Sequence, residues 1–164
     1  MLVEAAAWTL LHVDDGVLTR CDGPIADNIG WLDFTHALTF AEAATIAVDH
    51  RPALWPAVLL QLACFSGRNA GYVDPGLDTA PFAVANVDTF FPGQLKKMFD
   101  HGRDRFIISV HLLKTLCAGT VLHHALPGQL PSLPAALNRF LNAPMKGRHV
   151  LRTARQMRAL VEQE

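Results

Sequence analysis

The feature that most constrains the fold of this chain is an internal repeat. Laying residues 31–65 on 106–140 pairs His36 with His111, Leu38 with Leu113, Ala43 with Ala118 and Thr45 with Thr120. It also pairs Pro52 with Pro127, Pro56 with Pro131, Leu62 with Leu137 and Phe65 with Phe140, giving eight identities in 35 positions. His50 and His124 match one residue out of register. Both copies follow one grammar: a helix with a His near its start, a second His, a proline joint, then another helix. A lone helical hairpin leaves its apolar face in water, whereas a duplicated pair can bury it against its twin. Two copies packed about a pseudo-twofold would make His36 and His111 equivalent points of the two halves.

Apolar spacing supports the helical reading. Phe34, Ala37, Leu38, Ala41, Ala44 and Val48 recur at helical intervals over Trp31–His50. Asp27 or Asn28 is placed to cap the start, and Pro52 to stop the helix. A second helix is expected from about Ala53 to Ser66, with Gly67 as its stop. A long loop follows over 68–92, where glycines and prolines recur, and then a short helix over Gln94–Asp100. Asp104–His124 reads as a long buried helix, because it is apolar nearly all round. Ala135–Leu141 and Arg148–Glu164 complete the helices, while Leu2–Val13 fits helix or strand. No extended period-2 alternation appears. The expectation is a single all-α domain over 1–164, a helical bundle with repeats at about 31–67 and 104–142 and a C-terminal helix over 148–163.

Composition narrows the function classes. Fourteen Lys and Arg against 15 Asp and Glu give a net charge of −1, so no basic field exists to hold a nucleic-acid backbone. Hydrophobic residues make up 51% and charged residues 18%, against about 25% charged in an average chain. A large core, a self-association face or an apolar ligand site would each account for that surplus. Three cysteines without a cluster argue against a disulfide framework and fit a reducing compartment. An acid at Glu4 stands where a secretory signal would carry bases. The apolar run from Phe106 to Leu122 is interrupted by Ser109, His111, Lys114 and Thr115, so it reads as a core helix rather than a membrane span. The expected setting is the cytoplasm, with no nucleic-acid or membrane partner.

The candidate chemistry gathers around the repeated histidines. His36 lies at the margin of its helix's apolar arc, with Asp33 one turn earlier. Lys114 follows His111 by one turn. A buried imidazole needs a hydrogen-bond partner, and Asp33–His36 provides a carboxylate and an imidazole at helix-neighbour spacing. With His111 across the pseudo-twofold, Asp33 and His36 would complete a two-His-one-carboxylate set for iron, manganese or zinc. Three readings stay open: that non-haem metal site, a proton-transfer or substrate hydrogen-bonding role for His36, His111 and Lys114, and histidines satisfied structurally. Asp33 is equally a first-turn acid favoured by the helix dipole. Arg68 and Asn69, at a helix end, are placed to cap carbonyls or to clamp a carboxylate or phosphate. Cys64 reads as a buried small hydrophobe. Lys146, Arg148, Arg152, Arg155 and Arg158 form a basic stripe on the last helix, most simply a solvated face.

The run His111-Leu112-Leu113-Lys114-Thr115-Leu116-Cys117-Ala118 resembles the repeated His-containing helices of questin oxidase-like proteins. His36-Ala37-Leu38-Thr39-Phe40-Ala41-Glu42-Ala43 is the poorer copy, with Thr39 in place of the base. Those proteins are larger, all-α, and include monooxygenases acting on aromatic polyketides. The resemblance covers two short helices and implies an oxygenase-type ancestry, with functional weight on His36 and His111. Two functions follow as expectations. One is a small helical oxidoreductase, or a subunit of one, with an apolar pocket lined by the paired histidines. The other is a non-catalytic interaction module whose apolar surplus is an oligomer face. A homodimer suits both.

Overall fold

A computed structural model describes residues 2–20, 25, 28–100, 106–145 and 149–162. Eight α-helices account for most of them: α1 (Leu2–Leu11), α2 (Asp15–Thr19), α3 (Trp31–His50), α4 (Trp55–Asn69), α5 (Val87–Met98), α6 (Phe106–Ala125), α7 (Leu133–Asn142) and α8 (Val150–Val161). The only β-type pairing among the described residues is an isolated antiparallel bridge between Val13 and Val73. The fold is all-α.

The two long helices are both 20 residues, and their ends are displaced by the same 75 residues as the repeat. Each is followed by a proline joint. Pro52–Leu54 forms a 3-10 turn into α4, and Pro134 occupies the first turn of α7, where a missing N–H costs nothing. Helix α3 packs against α1, α4 and α6, while α6 packs against α3, α5 and α7, and α1 closes the bundle on α7. The repeated apolar residues Leu38, Leu62, Leu137 and Phe140 are buried in one cluster with Leu10, Phe34, Leu112 and Leu116. Buried hydroxyls are satisfied within their own helices, Thr115 donating to the His111 carbonyl at 2.8 Å and Thr35 to that of Leu32 at 3.2 Å. Gly119 allows α7 close, since a Cβ there would lie 2.5 Å from Leu137 Cδ1.

Several boundaries differ from the sequence expectation. The loop assigned to 68–92 is shorter: α4 runs past the exposed Gly67 to Asn69, and α5 begins at Val87. The Asn86 side chain accepts from Thr89 N at 3.2 Å, and Phe91 buries itself in the core. A cap and an aromatic anchor thus carry the helix through Pro92-Gly93. The start of α3 is set not by Asn28 but by Gly30, whose N–H donates to Asp33 Oδ2 at 2.8 Å; Asp27 lies outside the described residues. So do Asp104, at the expected start of the long helix, and Lys146 and Arg148 of the basic stripe. Cys64 is exposed, not buried.

Helix α6 is not the buried helix that its composition suggests. Its inner side is in the core, but Phe106, Ile107, Val110 and Val121 are exposed. By length and composition it is long and apolar enough to cross a membrane, with a third of its most apolar stretch buried. A core helix passes the same test.

Candidate functional site

Helices α3 and α6 bring His36 and His111 together. Their ring centroids lie 5.9 Å apart at 60°, edge to face. Other histidines are anchored to backbone. His12 Nδ1 lies 2.8 Å from the Trp8 carbonyl, and His124 Nδ1 lies 2.7 Å from that of Thr120. In contrast, His111 Nδ1 is buried without a hydrogen-bond partner. A buried imidazole nitrogen left open is uncommon.

Electrostatics hold both rings neutral. Burial pushes the His36 pKa down, and the ammonium of Lys114 and guanidinium of Arg68 add to this against the opposing pull of Asp33. His111 is lowered by burial, by Lys114 and by His36. Each therefore presents a basic nitrogen at neutral pH.

His36 and Lys114 open into a shallow recess of about 430 Å³, with Thr39, Phe40, Glu42 and Phe65 on its walls. The Phe40 and Phe65 rings stand 5.8 Å apart, tilted by 57°, and form its aromatic side. The larger apolar cavity lies elsewhere. It measures about 550 Å³, is lined by Ile29, Trp31, Leu32, Ile107, Ile108 and Met145 among others, and reaches Asp33 but neither histidine. The expected apolar pocket between paired histidines is thus two separate spaces. A groove of about 490 Å³ between α5 and α6 brings Cys117 and His124 onto one wall.

The two-His-one-carboxylate set does not form. Both oxygens of Asp33 are engaged, Oδ1 with Arg68 Nη1 at 2.7 Å and Oδ2 with the Gly30 N–H. Among the described residues, no three His, Cys, Asp or Glu side chains come together to hold a metal, so Asp33, His36 and His111 do not fit the iron, manganese or zinc site. Asp33 is instead the cap of α3 and its link to α4. Asn69 extends that link, its Nδ2 donating to the Asp33 carbonyl at 3.1 Å. Arg68 and Asn69 thus both reach α3 through Asp33, while the buried Oδ1 of Asn69 has no hydrogen-bond partner.

Sequence reasoning passed over Arg139. Its buried guanidinium donates to the Leu11 carbonyl at 2.7 Å and to Asp15 Oδ1 at 2.8 Å. It sits between the Trp31 and Phe82 rings, 5.3 and 5.2 Å from their centroids. Its sequence signal was weak, one base on an otherwise apolar helix face. Comparison with protein families, curated proteins and solved structures finds no match.

Proposed function

We propose that this domain binds a small, flat molecule carrying an acidic hydroxyl in the His36–Lys114 recess, and that the imidazole pair takes up its proton. The observation that carries this reading is the contact between two neutral imidazoles, one with an open buried nitrogen, beside a lysine ammonium. In the step, the hydroxyl proton moves to a ring nitrogen of His36. The O–H bonding pair stays on oxygen, and the resulting oxyanion faces the Lys114 ammonium. A general base works best when it is unprotonated with a pKa near the operating pH and sits close to the proton it removes. Phe40 and Phe65 offer the aromatic wall that a planar ligand needs. This is narrower than the monooxygenase-type activity implied by the resemblance, since the residues gathered here supply acid–base chemistry.

The test uses 4-nitrophenol, whose phenolate is coloured. The reading expects the chain to bind it and to raise its phenolate fraction at fixed pH, with Lys114→Met and His36→Asn each removing that gain. Binding without a change in the phenolate fraction, or a gain indifferent to both substitutions, overturns it.

A second reading, a self-associating module, draws support from the exposed apolar residues of α4, α6 and α8, among them Leu60, Phe106, Ile107 and Val150. Patches of that kind mark association sites. Sedimentation equilibrium tests it: a dimer dispersed by Phe106→Ser and Ile107→Ser favours it, and a monomer at all concentrations rejects it.

A further inference from the structure

Helix α8 is docked by the side that its pattern would leave in water. Val150, Ala154, Met157 and Val161 form an apolar stripe at helical spacing, yet they are exposed. The half-buried positions are Arg152 and Gln156. Gln156 and Asn28 exchange two amide hydrogen bonds, at 2.7 and 3.1 Å, and these fix the rotation of the helix. That rotation sets Arg152 into the wall of the 550 Å³ cavity.

The charges lining the cavity do not cancel. Its two carboxylates are committed, Asp15 to Arg139 and Asp33 to Arg68. Among the described residues, Arg152 has no ion-pair partner. The remaining wall is largely apolar, with Leu18, Ile29, Trp31, Leu32 and Ile108. The volume lies in the range of small-ligand pockets, which combine an apolar lining with a few polar groups. A guanidinium fork suits a planar carboxylate, which it can bind bidentately. We infer that this cavity is a binding site for an apolar carboxylic acid, with its tail against Leu32, Ile108 and Trp31 and its carboxylate on Arg152. The site is independent of the His36–Lys114 recess and does not rest on the function proposed for it.

The probes are decanoate and decan-1-ol, used below their aggregation concentrations and followed by calorimetry on the full chain. One decanoate binds per chain, more tightly than the alcohol. Loss of a charge-assisted pair weakens binding by roughly ten- to a hundredfold, so Arg152→Gln lowers decanoate affinity by about that factor and leaves decan-1-ol unchanged. Ile107→Trp places bulk at an exposed position of the rim and blocks both probes without touching the core. Thermal unfolding of each variant confirms that it folds. Absence of decanoate binding, affinity unchanged in Arg152→Gln, or binding that survives Ile107→Trp would each overturn the assignment, the last by placing the amphiphile elsewhere. In all these variants the 4-nitrophenol response stays as in the parent chain, so the two sites fail separately.

Discussion

The two proline-jointed halves share a grammar but not an environment. Leu38 and Leu113 hold equivalent positions; Leu38 is 0% exposed and Leu113 37%. Trp31 and Phe106 open the two long helices, yet Trp31 lies against Phe140 and Arg139 while Phe106 is 84% exposed. The cause is what covers each helix. Helix α1 lies along α3, whereas α5 covers the later turns of α6, where Leu116, Thr120 and His123 share its groove. The first turns of α6 keep an apolar outer face. The histidines diverge likewise: His36 stands near the Asp33–Arg68 pair, His111 has an unpartnered nitrogen. The two segments share a sequence pattern, and the elements packed around each decide how its residues are buried.

The sharpest way to break this comparison is to truncate the same residue twice. Leu38→Ala removes a fully buried side chain and costs about 2–5 kcal/mol. Leu113→Ala costs less than about 1 kcal/mol, being half out of the core. Equal losses in urea titrations would refute the difference in cover. Gly119→Val probes the tighter half. Its added carbons meet the buried Leu137, and overpacking of this kind costs about 1–3 kcal/mol. An unchanged melting temperature would show that α6 and α7 do not approach as described. Asp33→Ala removes a cap worth about 1 kcal/mol and a half-exposed ion pair worth at most about as much, so destabilisation of about 1–2 kcal/mol is expected, with no change in metal content. A metal lost with the variant would restore the ligand role.

The smallest effect is the pH dependence of the histidine pair. Both rings have folded pKa values below the ordinary 6.5, so the unfolded chain binds protons first as pH falls. Stability from this source is complete above 6.5 and is lost as pH drops through the folded values. The parent chain should lose more stability between pH 7.5 and 5 than the His36→Gln, His111→Gln double variant. Identical slopes would remove the case for depressed values.

Much of the fold was legible because helices write their period directly. Trp31–His50 was recovered from apolar spacing and Pro52 alone. Of helix α5 only the end was, as the short helix expected over Gln94–Asp100; its start was missed because Pro92 and Gly93 read as breakers and neither the Asn86 cap nor the burial of Phe91 is visible in a local pattern. The sequence alignment of the two segments singled out His36 and His111, and their rings do meet. The fate of Asp33 was open between ligand and cap, and its partners Gly30 and Arg68 decide for the cap. Spacing along one helix cannot say which way a carboxylate turns when a base on a neighbouring helix competes for it. The outward stripe of α8 was equally hidden, because amphipathicity names the apolar side without saying which side will dock.

The most direct test of the account is a proton NMR titration of the His36 and His111 imidazoles, assigned with His36→Asn and His111→Asn. Both midpoints lie below 6.5, and that of His111 moves upward when His36 is replaced by asparagine. Curves centred at the ordinary value, with the His111 midpoint indifferent to the loss of His36, would contradict the paired site.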